Sequence, residues 1–452
     1  MRQEIRPQLA IVLPPVNHEH SRELAAIKHI VDTHPEIADL VFADLVRGLN
    51  DPQSGRDGMM SAEQVFKALV IKQMNGFSYD DLAFHIEDSR TYRAFCGFGI
   101  GDPVPSGSTL QRDIKRISAE TEEAINRIIL GIAKEEGIEQ GQKARVDCTV
   151  VESNIHRPTD SSLLVDCVRV LSRLTARAIE VFGIATCFVD HNRRAKKRGM
   201  EILNAKNERE KKGSYQDLLN ITERSVDYAT QAAEGVDMVA VLLEVPGAED
   251  AAAELRDIIA LSRKVMSQTE RRVLKGEKVP PEDKVVSIFE PHTDIIVKDR
   301  RETYFGHKIA LSGGKSGLFT DLVVLEGNPA DARLAVEMAS RQKKIYNRAL
   351  QQITYDGGFA SKANLVEIKE LGIKDVAFSK KRGLDITEMV KSTYVYKKLR
   401  NFRAGIEGMI SYLKRSFGLR RCNWRGLESF KAYAWSAVVT ANLLLLARHL
   451  LG

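Results

Sequence analysis

Two short β-prone stretches of this chain each carry an aspartate, and they lie far apart in the sequence. Asp147 sits in the run Ala-Arg-Val-Asp-Cys-Thr-Val-Val, and Asp356 ends the apolar part of Ile-Thr-Tyr-Asp-Gly-Gly-Phe. Runs of this kind favour strands, so both carboxylates are expected on strands. They are separated by 356 − 147 = 209 positions, far more than a compact sheet needs to connect its strands. The chain must therefore combine a sheet with a large inserted segment.

The inserted segment is predicted to be helical. Apolar residues recur at three- and four-residue spacing in 163–181 and again in 251–266, which is the period of an α-helix. The stretch Lys-Gly-Glu-Lys-Val-Pro-Pro-Glu-Asp-Lys, which begins at Lys275, then breaks the pattern and predicts an exit loop.

After this loop the pattern becomes that of a β-hairpin. The glycine-rich segment 312–317 lies between β-prone runs at 305–311 and 318–325. Its Gly-Gly-Lys-Ser text resembles part of a phosphate-binding loop. Such a loop requires glycine where this chain has Ile309, and a helix rather than a strand after its serine. We therefore reject ATP binding at this segment.

The N-terminal segment is also predicted to be helical. Ser61 is a candidate N-cap for a helix that ends at Gly76, and a second helix is expected over 79–87. Two helices joined by a short turn are typical of DNA-binding helix-turn-helix units and of any helical bundle, so both interpretations stay open. The next helix, capped by Ser108 or Thr109, carries three cations that are candidate DNA contacts: Arg112, Lys115 and Arg116.

Cations are also concentrated in the middle of the inserted segment, at Arg193, Arg194, Lys196, Lys197 and Arg198. Such a run is usually the solvated face of a helix, and contact with phosphates is the alternative. In the whole chain Lys and Arg exceed Asp and Glu by 67 − 61 = 6. This mild excess permits an anionic polymer as partner without requiring one.

A third acid, Glu407, lies on a predicted helix among cations at helical spacing, namely Arg400, Arg403 and Lys414. Steps of three, four and seven residues keep these side chains within about 60° of one another around a helix. Carboxylates are preferred ligands of Mg²⁺, and three clustered carboxylates repel one another without a cation. Neighbouring Arg and Lys side chains suit the binding of phosphates.

At these residues the chain resembles the DDE transposases of bacterial insertion sequences, most closely the ISNCY-type group. In many of these enzymes the last acid lies in a signature of Tyr, two residues, Arg, three residues, Glu, six residues, Lys. Arg403, Glu407 and Lys414 match that spacing, whereas Arg400 takes the place of the tyrosine. Two glycines and a phenylalanine follow Asp356, as is common after the second acid of these families.

The resemblance implies a fold class and a division into domains. It implies an α/β protein whose ribonuclease-H-like mixed sheet is formed by residues 141–158 and 286–452. A helical, DNA-binding domain is expected over 1–140, and a helical insertion domain over 159–285. Several domains also suit a chain of 452 residues, because one domain typically has about 150.

The resemblance further implies an activity. Such an enzyme binds the terminal inverted repeats of its element, cleaves DNA at the element ends and joins the 3′-OH ends to target DNA. Asp147 and Asp356 would bridge two Mg²⁺ or Mn²⁺ ions, and Glu407 would complete the coordination of one of them. Arg403 and Lys414, with Arg400, would position the DNA backbone. A homodimer on double-stranded DNA is expected.

Two alternatives remain open. A nuclease of similar fold would use the same acids to cleave DNA without joining it. A non-catalytic DNA-binding protein derived from a transposase would be expected to have lost an acid, and Asp147, Asp356 and Glu407 are all present.

The cysteines and the apolar segments indicate a cytoplasmic protein, and the resemblance to transposases implies association with the nucleoid. The five cysteines are scattered and lack a Cys-x-x-Cys pair, which argues against a disulfide framework and a thiolate zinc site. The apolar stretch 434–447 is interrupted by Ser436, Thr440 and Asn442. It is shorter than the roughly 18 residues of a membrane span, so we expect a buried helix that packs on the sheet, and no membrane partner.

Other polar and aromatic residues are interpreted as non-catalytic. Glu152 and His156 are four apart, but they fall where a strand leads into a loop, so support of the metal ligands is favoured over direct ligation of a metal. Trp424 and Trp435 are expected in the core rather than stacked on bases. The acids expected to serve as capping or surface groups are Asp160, Asp294 and Asp299.

Overall fold

The computed structural model describes residues 3–5, 11–14, 16–49, 59–298, 302–346 and 349–452. The chain forms two compact units, one of Met1–Glu152 with His307–Gly452 and the other of Ser153–Gly306. The boundaries between the two compact units therefore lie between residues 152 and 153 and between residues 306 and 307. The division into functional domains at residues 140, 158 and 285 stays a prediction.

The described part of the first 140 residues is helical: α1 (Glu19–Thr33), α2 (Glu36–Val46), α3 (Ala62–Asn75), α4 (Tyr79–Asp88), α5 (Arg90–Phe95), α6 (Gly107–Ile114) and α7 (Ala119–Glu135). Ser61 caps α3 in a reciprocal capping box with Gln64, and α3 ends at Gly76 with φ of 67°. Both ends agree with the sequence signals, because a serine satisfies the first free N–H groups and glycine adopts positive φ without strain.

The predicted cap of α6 was wrong by two to three residues. Ser106 is the N-cap, because its Oγ accepts the N–H of Thr109 at 3.4 Å. The helix also ends earlier than expected, at Ile114. Arg112 lies within it, Lys115 is its C-cap residue, and Arg116 follows.

In the second unit four helices follow one another: α8 (Asp160–Phe182), α9 (Asn192–Asn204), α10 (Glu208–Leu243) and α11 (Ala248–Thr269). Their apolar faces form one core, which includes Leu164, Leu171, Leu218 and Leu255. The predicted helical character of the inserted segment is thus confirmed.

The described strands are β1 (Lys143–Glu152), β2 (Asp294–Lys298), β3 (Glu302–Gly313), β4 (Phe319–Val324), β5 (Gln352–Tyr355) and β6 (Asp375–Phe378). β1 pairs in parallel with β5, and β5 in parallel with β6. On the other side of β1 lies β3, whose second half forms the predicted antiparallel hairpin with β4. The first half of β3 pairs with β2, a strand that was not predicted. An antiparallel arm beside parallel strands is the mixed sheet of a ribonuclease-H-like core.

The remaining helices of the first unit are α12 (Ala335–Tyr346), α13 (Lys362–Glu370), α14 (Ile386–Met389), α15 (Thr393–Ser416) and α16 (Leu427–Leu451). α16 is long and apolar enough to cross a membrane, but 72% of its most apolar window is buried inside the fold. The side chain of Asn442 on this helix accepts the N–H of Phe319 in β4 at 2.8 Å and donates to the Phe319 carbonyl at 2.7 Å. The expectation of a buried helix against the sheet is confirmed, and Trp424 and Trp435 are buried with it.

Candidate active site

Parallel pairing of β1 with β5 brings two aspartates to one end of the sheet. Val146 pairs with Tyr355, so Asp147 is the next residue on β1, and Asp356 directly follows the last residue of β5. Neighbouring strands lie about 4.8 Å apart, which places the two carboxylates side by side although 209 positions separate them (356 − 147). Asp147 lies on its strand as predicted, whereas Asp356 lies one residue beyond the end of its strand, where the turn Gly357–Phe359 begins.

The helix that carries the third acid is held against β1 by Arg145. The Arg145 Nη1 donates to the carbonyl of Phe402 at 3.0 Å, and its guanidinium lies 4.6 Å from the Phe402 ring centre. A Cβ at Gly405 would lie 2.1 Å from the same Nη1, so the close approach requires glycine. Sequence reasoning missed Arg145. Its only signal was its position two residues before Asp147, which places both on one face of β1.

Arg403 joins all three acids. Its Nη2 lies 2.9 Å from Oδ2 of Asp147 and 3.5 Å from Oδ1 of Asp356. Its Nη1 lies 3.0 Å from Oε1 of Glu407, one turn further along α15. The exposed fraction of the acid side chains rises from 16% to 40% to 66% in the same order. The fold thus gathers the three predicted acids around one guanidinium, in a site that opens to solvent.

The environment of Asp147 opposes its ionisation. Burial raises the pKa of this carboxyl, and the neighbouring Asp356 raises it further. Arg403 and the backbone N–H of Cys148, which donates to Oδ1 at 2.8 Å, act in the opposite direction. The net shift is upward, so Asp147 holds its charge less readily than an aspartate in water.

The environment of Asp356 favours the charged form. Burial would raise its pKa, but hydrogen bonds from the Ser379 hydroxyl and the Gly357 backbone outweigh it, with help from the charges of Arg403 and Lys380. The Ser379 bond is 2.7 Å long and orients Oδ1. The pKa of Asp356 consequently lies below its ordinary value, whereas that of Asp147 lies above it.

The donor set fits a divalent cation by its chemistry. Carboxylate oxygens are the ligands that Mg²⁺ and Mn²⁺ prefer, and Arg403 already supplies positive charge at this point. As they stand, the acids surround the guanidinium. Among the described residues, no three His, Cys, Asp or Glu side chains are arranged to share a metal ion. A metal ion shared by the three acids therefore requires Arg403 to release at least one of them.

The other two cations of α15 are placed differently. The Lys414 Nζ donates to the carbonyl of Val150 in β1 at 2.8 Å, and so helps to hold the helix on the strand. The Arg400 side chain is exposed one turn before Arg403.

In the N-terminal helices, the cations predicted to contact DNA lie at the end of α6. Arg112 pairs with Asp113 at 3.1 Å, and Arg116 donates to the carbonyl of Arg47 at 3.0 Å. The helices of the predicted helix-turn-helix are present as α3 and α4. However, the exposed face of α4 carries four acids, which would repel DNA phosphates: Asp80, Asp81, Glu87 and Asp88. α4 is therefore poorly suited to enter a groove.

The cationic run of the inserted segment lies on α9 and is partly neutralised. Asp217 pairs with both Arg194, at 2.6 Å, and Arg198. The other three cations are exposed and form no ion pair within the part of the second unit that is described: Arg193, Lys196 and Lys197. The helix consequently offers three rather than five cations to an external partner.

Several other residues named from the sequence do not join the acids. The Glu152 backbone bonds to Arg420 and Cys422, and His156 lies 3.6 Å from Asp166. Asp160 is buried rather than at the surface, and its carboxylate pairs with Arg272 at 3.0 Å. Asp294 lies in β2, and Asp299 falls outside the described residues.

Two protein-family models match the chain. Residues 14–116 match a model described as Transposase domain (DUF772), and residues 295–443 match a model described as Transposase DDE domain. The second range contains Asp356, Arg403 and Glu407 but begins well after Asp147, which the fold alone brings to them. No curated protein and no solved structure matches the chain.

Proposed function

Because this chain belongs to the DDE transposases of insertion sequences, we propose that it cleaves DNA at the ends of its element and joins the freed 3′-OH ends to target DNA. The observation that carries this proposal is the contact of one guanidinium with Asp147, Asp356 and Glu407. Three acids from two strands and a helix need to converge for metal-dependent phosphodiester chemistry, and their common contact with Arg403 supports such convergence.

In this proposal Asp147 and Asp356 would hold two Mg²⁺ or Mn²⁺ ions, and Glu407 would be a further ligand of one of them. The bound ions would lower the pKa of the attacking water and neutralise the departing 3′ oxygen. Ser379 and the Cys148 N–H fix one oxygen of Asp356 and of Asp147, respectively. This preorganisation limits the movement of the ligands.

Arg403 has two successive roles in this proposal. Without metal its single positive charge partly offsets the charges of the three acids. With divalent ions bound at the acids, the guanidinium would become available to a DNA phosphate, as the resemblance implies. Because Arg403 and Glu407 are one turn apart on α15, the same helix offers an acid to the metal and a cation to the substrate.

Double-stranded DNA is the proposed partner, both as terminal inverted repeats and as target. At the acids, Arg400, Arg403 and Lys414 would contact its backbone. Elsewhere, the segment at the end of α6 and the exposed face of α9 would bind phosphates, with Arg194 and Arg198 contributing less because Asp217 neutralises them. We further propose a homodimer on DNA, because two ends must be brought together for joining. We also propose a cytoplasmic, nucleoid-associated location, since DNA is the proposed partner.

The proposal is tested with the purified full chain, a duplex that carries its terminal inverted repeat, a target plasmid and Mg²⁺ or Mn²⁺. We expect cuts that leave a 3′-OH at the element end, followed by joined products, and loss of both when EDTA is present. Cutting without joining would favour a nuclease of similar fold. Specific binding without cutting would favour a non-catalytic DNA-binding protein.

A further inference from the structure

A cationic loop leaves the sheet beside the second acid. β6 ends at Phe378 and is followed by Ser379 and then three cations, Lys380, Lys381 and Arg382. Because Tyr355 pairs with Phe378 in parallel strands, Asp356 and Ser379 leave the same end of the sheet. All three cations are exposed, and within the described ranges none forms an ion pair with an acid.

The loop comprises residues 379–383, and its first residues contact the acidic site. The Ser379 hydroxyl donates to Asp356 at 2.7 Å, and the Tyr396 hydroxyl of α15 donates to the Phe378 carbonyl at 2.8 Å. Lys380 packs on Gly357, where an added Cβ would lie 2.7 Å from the Lys380 Cβ. The loop is therefore tied both to an acid and to the helix that carries Glu407.

The tip of the loop is a tight turn with exposed cationic side chains. The N–H of Leu384 donates to the carbonyl of Lys381 at 3.0 Å. Between them Arg382 has φ of 45° and Gly383 has φ of 88°. The left-handed region is uncommon for a residue other than glycine or asparagine, and it strains the backbone of other residues. A cation thus occupies a position where Gly or Asn would be less strained.

We propose that Lys380, Lys381 and Arg382 bind backbone phosphates of the DNA strand next to the bond that is cut. This inference rests on the proposed function and adds a substrate-binding element that the DDE signature on α15 does not contain. A phosphodiester held at the acids has negatively charged neighbours on the same strand. Exposed Lys and Arg side chains that form no ion pair in the described part of the chain are suited to contact them, whatever the base sequence.

The test measures DNA binding rather than cleavage. The variant Lys381→Gln/Arg382→Asn removes two loop cations, and asparagine tolerates the positive φ. The matched control Lys143→Gln/Lys374→Gln removes two cations from the opposite end of the same parallel strands, since Lys143 begins β1 and Lys374 precedes β6. Affinity for a duplex of the element end is measured with Ca²⁺ in place of Mg²⁺ between about 50 and 200 mM salt, the range in which phosphate contacts dominate the salt dependence.

We expect the slope of log affinity against log salt to become shallower by about 2 in the loop variant, because each lost phosphate contact changes it by about 0.9. The control variant should keep the wild-type slope. The single variant Arg382→Gly relieves the backbone strain, so it should fold at least as well as the wild type and change the slope by about 1. A wild-type slope in both loop variants would overturn the inference.

Failure of this inference is distinguishable from failure of the proposed function. Cleavage by the wild type in Mg²⁺, together with wild-type binding by both loop variants, would reject the loop alone. Absence of cleavage by the wild type, together with a shallower slope in the loop variants, would reject the proposed chemistry and keep the phosphate site.

Discussion

The Nη2 of Arg403 lies 2.9 Å from Oδ2 of Asp147, although the two residues are 256 positions apart in the chain. Their side chains are only 15% and 16% exposed, so water solvates these charges poorly. Each charge is stabilised mainly by the other. The same guanidinium reaches Asp356 and Glu407. Without metal, the acids of this site are therefore held together by a cation that belongs to the chain.

Replacement of Arg403 by glutamine should destabilise the metal-free protein and increase its response to metal. The three carboxylates would lose their shared cation, which we expect to lower the free energy of unfolding by about 1–3 kcal/mol. A divalent cation would no longer compete with the guanidinium. Added Mg²⁺ or Mn²⁺ should therefore raise the melting temperature of Arg403→Gln more than that of the wild type.

The control for this prediction is Arg400→Gln, which removes an exposed cation one turn away on the same helix. It should melt like the wild type in both conditions. An Arg403→Gln protein that responds to metal no more than Arg400→Gln would contradict the idea that Arg403 takes the place of the ion.

Two glycines of α15 should respond in opposite ways to replacement by alanine. A Cβ at Gly408 meets nothing within 4 Å, and alanine in a helix interior is more favourable than glycine by about 1 kcal/mol. Gly408→Ala should therefore raise the melting temperature. At Gly405 the Cβ would lie 2.1 Å from Arg145 Nη1, so Gly405→Ala should displace Arg145 from Phe402 and cancel the gain.

Cleavage assays on the same two variants separate packing from helix propensity. We expect displacement of Arg145 to weaken its hold on α15, so Gly405→Ala should cut DNA at least about tenfold more slowly, whereas Gly408→Ala should stay within about twofold of wild type. A small misplacement of catalytic groups is sufficient for such a loss. Equal activity of both variants would show that Arg145 does not position the helix.

A buried acid outside the site, Glu122 on α7, should make stability depend on pH. Its side chain is fully buried and accepts a hydrogen bond from the Ser436 hydroxyl at 2.9 Å. Burial raises the pKa of Glu122 to about 8, whereas an unfolded glutamate titrates near about 4.3. Between these values the folded state binds more protons, so this contribution is complete below about pH 4 and is lost as pH rises towards 8.

Glu122→Gln should abolish this dependence. A single proton gives a slope of at most about 1.4 kcal/mol per pH unit. In urea unfolding, the stability of the variant relative to wild type should therefore increase from pH 5.5 to pH 7.5. The same relative stability at both values would mean that Glu122 titrates normally in the fold.

The positions of the three acids were predictable because each depends on a local pattern. Apolar runs set β1 and β5, and helical spacing with matching cations set α15. β2 was missed, although its apolar residues Ile295, Ile296 and Val297 favour a strand. Ser106, Ser108 and Thr109 are all good caps, so the sequence alone does not determine which one begins α6.

The contacts within the site were not predictable in the same way. The pairing of Arg145 with Phe402 and the bond from Ser379 to Asp356 depend on how strands and helix align, and the sequence does not encode that alignment locally. Arg403 was expected to hold phosphates, and the fold instead places it among the acids. The acidic face of α4 likewise could be identified only from the structure, which shows which side of the helix is buried.

The most direct test of the central claim concerns Asp147, since the match to the DDE domain does not include it and only the fold brings it to the other acids. Cleavage of the inverted-repeat duplex in Mg²⁺ is measured for Asp147→Asn and for Glu152→Gln, a control five residues further along β1 whose side chain points to the opposite face. The account predicts that Asp147→Asn binds the duplex but cuts it at least about 10³-fold more slowly, a loss of about 4 kcal/mol, while Glu152→Gln cuts normally. Cleavage by Asp147→Asn at the wild-type rate would contradict it.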